Sequence, residues 1–390
     1  MNNKKIKIAV LSPIPFYYHI PIYKRIFENE NIDFNVIYCA DWKSINQNYF
    51  NRSNLLSGYK YKFLKNYSFF PSLTKFLGLV NLGIINEVRR NNYNAFILQS
   101  WGTLTFWLAF FACLIYKKPI IFMTDCNILS VPKKQSIKKH FKDKLLRYFF
   151  KNTSWFLSQG TVNKNFYKYY GVSDKKILNF PYTWGYEWFL EKSDKLKPQR
   201  EAMRQKLGIK EEDFVFLIVC RLEPEKNIFL LLDAFRDLNI KNKKLFIVGQ
   251  GVLLQKIKEY INNFNIKNVF LTGFKNCNEL IEYYNIADAF VLSSSYEPWG
   301  MVINEAMCFG LPVIASDRVG AAVDLVIENY NGFIFSYNKP DDLAKKLFKI
   351  SSLSIDEKRA FSEKSKLAII KWLERMNPSK KINKIVELLK

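Results

Sequence analysis

The chain has 390 residues, 49% of them hydrophobic and 24% charged, which is ordinary for a globular protein and enough for two domains with their own cores. Six scattered cysteines with no C-x-x-C pair, and only two histidines, argue against a zinc site and for a reducing compartment. The net charge of +24 is lopsided: residues 1 to 180 hold 27 Lys plus Arg against 8 Asp plus Glu, so the amino-terminal half faces an anionic membrane, an acidic acceptor or nucleic acid.

Lys7 to Ser12 reads as a first buried strand, too short and too broken by Pro13 and Pro15 for a secretory signal. A loop follows to Ile20, then a helix over Pro21 to Glu30 and a second strand, Phe34 to Cys39. Residues 41 to 75 read as a polar, aromatic-rich insertion, and Val80 to Arg90 as a helix. The 22 uncharged residues from Ala95 to Tyr116 are long enough to span a bilayer, but the polar breaks at Gln99, Ser100, Gly102, Thr103 and Thr105 favour a strand, a turn at Trp101-Gly102 and a buried helix. Ile120 to Asp125 is another buried strand. Asp125 closes it, and a carboxylate in that place either contacts a ligand or caps the turn.

Lys133 to Lys151 carries eight basic residues and one acid. Ile137, Phe141, Leu145 and Phe149 recur every four positions, with Lys134, Lys138 and Lys142 on another face. That is a basic amphipathic helix, either docked on an anionic membrane or packed on the core with a solvated basic side. No nucleic-acid-binding motif accompanies the charge. A strand at Trp155 to Ser158, a helix over Asn163 to Tyr170 and a closing segment to Tyr182 complete a first domain, 1–182. Residues 183–200 read as a linker.

The second domain, 201–372, opens with a helix over Arg200 to Leu207 and the strongest buried strand of the chain, Phe214 to Cys220. Arg221 and Lys226 follow in its loop, and two fixed cations there suit a diphosphate. Lys244 to Gly251 is a strand ending in Gly249-Gln-Gly251, Val269 to Phe274 a further strand, and Phe290 to Ser293 another. The segment Ser295 to Ser316 then sets Glu297 and Glu305 eight positions apart across a Gly300 turn. The helix starting near Met301 turns its free N–H groups to the loop and forms an anion site. Two carboxylates beside it suit a ligand that also offers hydroxyls; the plain alternative is a loop acid and a surface acid. After Pro340 the chain is helical, and Asn377-Pro378 breaks it before a last helix within 373–390.

Gly300, Glu305, Ala306, Gly310, Pro312, Val313 and Ala315 resemble the E-x7-E element of retaining glycosyltransferases of family 4. Arg221 to Asn227 is similar to that family's G-R-L-x-x-x-K-N segment, with Cys220 in place of Gly. The resemblance implies two Rossmann-like doubly wound domains facing across a cleft (the GT-B architecture), with the last helix crossing back to the first domain. It also implies a nucleotide-diphosphate sugar as donor. Arg221, Lys226 and backbone around Gly300, Met301 and Val302 would hold the diphosphate, Glu305 the ribose and Glu297 the transferred sugar. Gly249, Phe274 and Trp299 would stand on the donor side. Asp125 would serve as a catalytic-side contact to sugar or acceptor. The loop at Pro13 to His19 resembles a variant among surface-polysaccharide enzymes of the family, making Pro15, His19 and Trp101 acceptor-side candidates; His19 reads equally as a helix-start residue.

With no acidic D-x-D pair, metal-independent transfer and no cofactor are expected. The implied activity is transfer to a glycan or lipid-linked acceptor in surface polysaccharide or glycolipid synthesis, by a cytoplasmic protein peripheral to the inner membrane face, with no nucleic-acid partner. An epimerase or phosphorylase on a similar fold would need an acid–base pair or cofactor lysine whose signature is missing. A catalytically silent nucleotide- or glycan-binding partner of another glycosyltransferase is the alternative.

Overall fold

The structure, a computed structural model, describes residues 5–42, 56–132, 134, 136–180 and 185–390. It divides into two units, Met1–Trp184 with Met376–Lys390, and Gly185–Arg375. The first is built on β1 (Ile6–Ser12), β2 (Ile32–Tyr38), β3 (Lys60–Phe63), β4 (Ala95–Leu98), β5 (Ile120–Met123), β6 (Trp155–Ser158) and β7 (Ile177–Asn179), in spatial order β3-β2-β1-β4-β5-β6-β7. Every pairing is parallel. The central strands are apolar runs because helices cover both faces and leave no side for solvent. One face lies under the helices Gly83–Arg90, Leu104–Ile115, Ile137–Lys151 and Thr161–Tyr169, with Phe106, Phe110, Phe149 and Tyr167 fully buried. The other lies under Ile20–Phe27 and the last helix, Pro378–Leu389, whose Ile382, Ile385 and Val386 are buried there. Polar bonds fix that return: Arg25 Nε to Ser379 Oγ (3.3 Å) and Asn29 Nδ2 to Asn383 Oδ1 (3.0 Å).

The second unit carries β8 (Phe214–Val219), β9 (Lys243–Val248), β10 (Val269–Gly273), β11 (Ala289–Leu292), β12 (Val313–Ser316) and β13 (Gly332–Phe335), in order β10-β9-β8-β11-β12-β13 and again all parallel. In each sheet the chain winds outward one way, returns to the middle and winds the other way. The reversals fall at β1/β4 and at β8/β11. Loops that leave the carboxyl ends of such a pair diverge and open a crevice, where ligands bind in folds of this kind.

Several boundaries move. Of the linker expected at 183–200, residues 183 and 184 lie outside the described residues, as do 181 and 182. The rest is the helices Tyr186–Leu196 and Arg200–Lys206, both in the second unit. Arg204 accounts for this: buried, it donates to the carbonyls of Ile286 (2.9 Å) and Lys210 (3.1 Å) and pairs with Asp288 (3.1 Å). The second unit also runs to Arg375, because the helix Ile355–Arg375 continues unbroken past 372. The insertion at 41–75 contains the edge strand β3, and its residues 43–55 lie outside the described ones. The uncharged stretch Ala95–Tyr116 is β4, a turn and a 12-residue helix. Among the described residues, no helix is long and apolar enough to cross a membrane.

The expected single apolar face of Lys133–Lys151 is also corrected; Lys133 and Gln135 lie outside the described residues. Phe149 is buried, while Ile137 and Phe141 point to solvent. A four-residue repeat drifts about 40° per step on a helix, so the stripe spirals from solvent at one end to core at the other.

Candidate functional site

In the second unit the β8/β11 switch point is tied together by backbone. Ser293 Oγ donates to the Lys226 carbonyl (2.8 Å), and the Ser295 N–H to the Glu225 carbonyl (2.8 Å), so the loop after β8 and the loop after β11 are one surface. The loop after β9 is stitched to the same place through Leu222 N–H to Gln250 O (2.9 Å) and Leu253 N–H to Leu222 O (3.0 Å). Gly249 permits that approach: at φ +143°, a Cβ there would sit 1.8 Å from the Cys220 carbonyl oxygen. The Gly249-Gln-Gly251 turn therefore packs backbone on backbone.

Lys226 ends a short turn, Pro224–Lys226, and its ammonium is bonded to the Glu297 carboxylate. Glu297 is immobilised on both sides, its N–H donating to Arg318 O (3.0 Å) and its carbonyl accepting from Gly320 N–H (3.1 Å). Side chains here are mostly covered, 11% exposed for Lys226 and 17% for Glu297. Gly300, left-handed at φ +98°, turns the chain into the helix Met301–Cys308, and a Cβ on it would press on Glu297 Cγ at 3.2 Å. The first N–H groups of that helix, at Met301 and Val302, have no intrahelical acceptor, and they follow Glu297 by only four and five positions. Arg221 is exposed and bonds Glu225 at 3.4 Å, leaving a long cation at the rim.

Glu305, one turn into the helix, accepts from Tyr284 Oη at 2.8 Å. Burial pushes its carboxyl up to about 7, and the tyrosine bond offsets only part of that. Phe274 follows Gly273 at the end of β10 and is exposed. Trp299 is not placed for a donor contact through its ring. It is 5% exposed, its Nε1–H donates to Asn304 Oδ1 (2.9 Å), and it stacks on Trp372 with centroids 5.6 Å apart. An indole needs a partner for its one N–H and a flat neighbour for its face, and the interior supplies both.

The first unit gathers a second group at the carboxyl ends of β1, β4 and β5. Asp125 accepts from Tyr18 Oη (3.2 Å) and Gln159 Nε2 (3.4 Å), and burial pushes its carboxyl up to about 6. His19 is buried, packs edge-on against Tyr18 at 4.5 Å, and is held neutral, its pKa pushed down to about 3 by burial. Pro15 is buried beside it in the chain. Tyr23 reaches across to Gln99 at the end of β4, 2.8 Å away. Trp101 leans on the core, its carbonyl taking the Trp107 indole N–H (2.9 Å), with the Lys142 ammonium 4.9 Å above its ring.

Sequence reasoning missed Tyr18, Gln159 and Tyr284, which hold the two perturbed carboxylates. Only Tyr18 carried a signal, its place in the aromatic loop before His19. Among the described residues, no cluster of three His, Cys, Asp or Glu is arranged to hold a metal ion.

A parallel-sheet pair of α/β units with a cation–carboxylate pair at the switch point of the second defines the class. Over 99% of both chains the structure matches Anabaena HepE in complex with UDP (TM-score 0.72, 18% identity), and over 98% of this chain and 99% of the other it matches WaaG, a glycosyltransferase of lipopolysaccharide biosynthesis (0.67, 15%). The fold is that of the GT-B glycosyltransferases. Residues 199–388, just under half of the chain, match the model of glycosyl transferases group 1. Similar curated proteins include an alpha-monoglucosyldiacylglycerol synthase of Acholeplasma laidlawii (32% identical over 41% of this chain) and a UDP-Gal:alpha-D-GlcNAc-diphosphoundecaprenol alpha-1,3-galactosyltransferase of Escherichia coli (30% over 47%). The aligned stretches span 40% and 46% of those proteins' own lengths.

Proposed function

We propose that the protein is a retaining, metal-independent glycosyltransferase that moves a hexosyl group from a nucleotide-diphosphate sugar to a glycan or lipid-linked acceptor, working in the cytoplasm at the inner membrane face. The observation that carries this reading is the Lys226–Glu297 pair beside the start of the helix Met301–Cys308. The ammonium, the first helical N–H groups and the Arg221 guanidinium together answer the charge that builds on a diphosphate as it leaves. The ammonium and the helix backbone, fixed in advance by protein bonds, need little reorganisation when the glycosidic bond breaks. Glu297 accepts from hydroxyls of the transferred sugar, and Glu305 from the ribose. Asp125, a carboxyl that burial pushes up to about 6, serves the acceptor or sugar side.

Lipid-linked acceptors are favoured because two of the similar curated proteins carry a diacylglycerol or a diphosphoundecaprenol in their names. The test is thermal stabilisation of the wild type and Arg221→Ala by UDP, GDP, ADP, dTDP and CMP with their common sugars, followed by transfer from the donor so identified. Stabilisation by one nucleotide family, lost in the variant, supports the reading. No stabilisation by any of them returns the weight to a silent binding partner.

A further inference from the structure

The amino ends of the first unit's strands line a cavity of about 860 Å³. Its wall is made by the starts of β1, β2 and β3 and by the loops that enter β4 and β5. β1 is seven residues long, so the cavity lies roughly 20 Å from the carboxyl ends, where Asp125, Tyr18 and Gln99 gather. Ligands of doubly wound sheets bind at the carboxyl ends, and the transfer reaction gives no reason for a cavity at the other edge. The volume is that of an ordinary small-molecule site, about 300–1,000 Å³.

Lys5, Lys7, Lys60 and Lys118 line it against a single acid, Asp33. Lys60 takes that acid at 3.2 Å, and among the described residues no carboxylate pairs with the other three ammoniums. Lys7 is held above the Tyr93 ring, 5.0 Å from its centroid. Its backbone is locked to Asn94, whose Oδ1 accepts the Lys7 N–H (2.9 Å) and whose own N–H donates to the Lys7 carbonyl (2.7 Å). With Oδ1 so used, the exposed Asn94 amide keeps its two N–H donors for a ligand. Charge on an edge strand guards against wrong pairing, which explains Lys60 on β3. β1 and β5 are interior strands, so that reason does not reach Lys5, Lys7 and Lys118, whose like charges repel one another across the cavity.

We infer that this cavity binds an oligophosphate with three or more negative charges, as a free chain or on a nucleoside. An ammonium is a point charge that meets phosphate oxygens from any direction, whereas the planar fork that recognises a carboxylate belongs to arginine. No arginine lines the cavity. Lys5 at β1 and Lys118 before β5 stand two strand spacings apart, about 10 Å, a span that one phosphate does not fill and a short chain of them does. The site belongs to the first unit alone, and the inference goes beyond the proposed donor chemistry without resting on it.

Calorimetric titration of the full chain with inorganic tripolyphosphate tests it, in an Arg221→Ala background so that the second unit's cations contribute little. The expected result is one tripolyphosphate bound per chain, at least roughly tenfold tighter than sulfate at equal ionic strength. Adding Lys5→Ala/Lys118→Ala should weaken it at least roughly tenfold without lowering the melting temperature of the unliganded protein, since both side chains face the cavity and pair with no acid. Lys256→Ala/Lys258→Ala removes the same charge from exposed positions of the other unit and should change it less than about twofold. In the otherwise wild-type chain, Lys5→Ala/Lys118→Ala should leave stabilisation by nucleoside diphosphates unchanged, so a failure here and a failure of the donor reading are told apart. Tighter binding of ATP than of tripolyphosphate supports the inference with a nucleotide as the source, and equal binding supports it with the phosphate chain alone. No binding in the Arg221→Ala background, equal loss in both lysine pairs, or no preference over sulfate overturns it. So does tighter binding of oligogalacturonate, which would give the cavity to an acidic glycan.

Discussion

The Lys226 ammonium is bonded to the Glu297 carboxylate across 71 positions of chain, from the loop after β8 to the loop after β11. Neither is free to wander: the Lys226 carbonyl is held by Ser293 and the Glu297 backbone by Arg318 and Gly320. The two groups that the proposed reading assigns to a leaving phosphate and to a sugar hydroxyl are therefore set in one fixed geometry.

Removing either partner should separate binding from turnover. Lys226→Ala is expected to weaken nucleotide-diphosphate binding by tenfold or more, roughly the value of one charge-assisted hydrogen bond, and to cost about 1–3 kcal/mol of stability by leaving a mostly covered carboxylate unpaired. Glu297→Gln keeps the shape and should still bind nucleotide while turnover falls by about 10²–10³. Isothermal titration and single-turnover transfer on both variants check this. Equal loss of binding in both would assign Glu297 to the ground state.

Gly249 and Gly273 offer a matched pair. A Cβ on Gly249 meets the Cys220 carbonyl oxygen at 1.8 Å, whereas a Cβ on Gly273 meets nothing within 4 Å despite its φ of +73°. Gly249→Ala should push the loop after β9 off the loop after β8, with destabilisation above about 3 kcal/mol and loss of nucleotide binding. Gly273→Ala should cost only the conformational strain, about 1 kcal/mol. Urea unfolding of the two variants reads the difference.

Glu305 should make stability fall as pH rises. Its carboxyl is pushed up to about 7 in the fold from an ordinary value of 4.5, so between those two values the folded state binds the extra proton and loses that advantage as it titrates. The melting temperature of the unliganded protein should therefore drop between pH 5 and pH 8 by more in the wild type than in Glu305→Gln, which keeps a partner for Tyr284 and cannot titrate. If Glu305 accepts from a ribose hydroxyl, nucleotide affinity should rise over the same range in the wild type and stay flat in the variant.

Asp125 gives the opposite limb a test. Tyr18 and Gln159 donate to it and hold its carboxyl down against burial, which has pushed it up to about 6. Tyr18→Phe should raise it further, moving the acid limb of kcat/KM to higher pH without erasing the plateau. Asp125→Asn should lower the plateau itself. An unshifted limb in Tyr18→Phe would leave Asp125 a structural cap of its turn.

Much of this was legible along the chain. Buried parallel strands are written as short apolar runs, and the cations after β8, the glutamates flanking Gly300 and the break at Asn377-Pro378 are local features that sequence order carries. The span after 184 was misread because polar composition resembles a linker, and its helices gain their stability from Arg204 reaching partners 82 and 84 positions away. The two carboxylates were visible as residues, but the tyrosines that hold them were not.

By itself the sequence determined two α/β domains and which side chains stand at the carboxyl ends of their strands, since apolar period and turn residues act over a few positions. Only the tertiary structure decided that Lys226 meets Glu297, that Trp299 turns inward onto Trp372, and that Phe149 is core while Ile137, on the same four-residue repeat, is surface. Those outcomes depend on which strands become neighbours and which side of a helix meets the sheet. Neither is encoded in any short window, because both are settled by the burial of many distant residues at once.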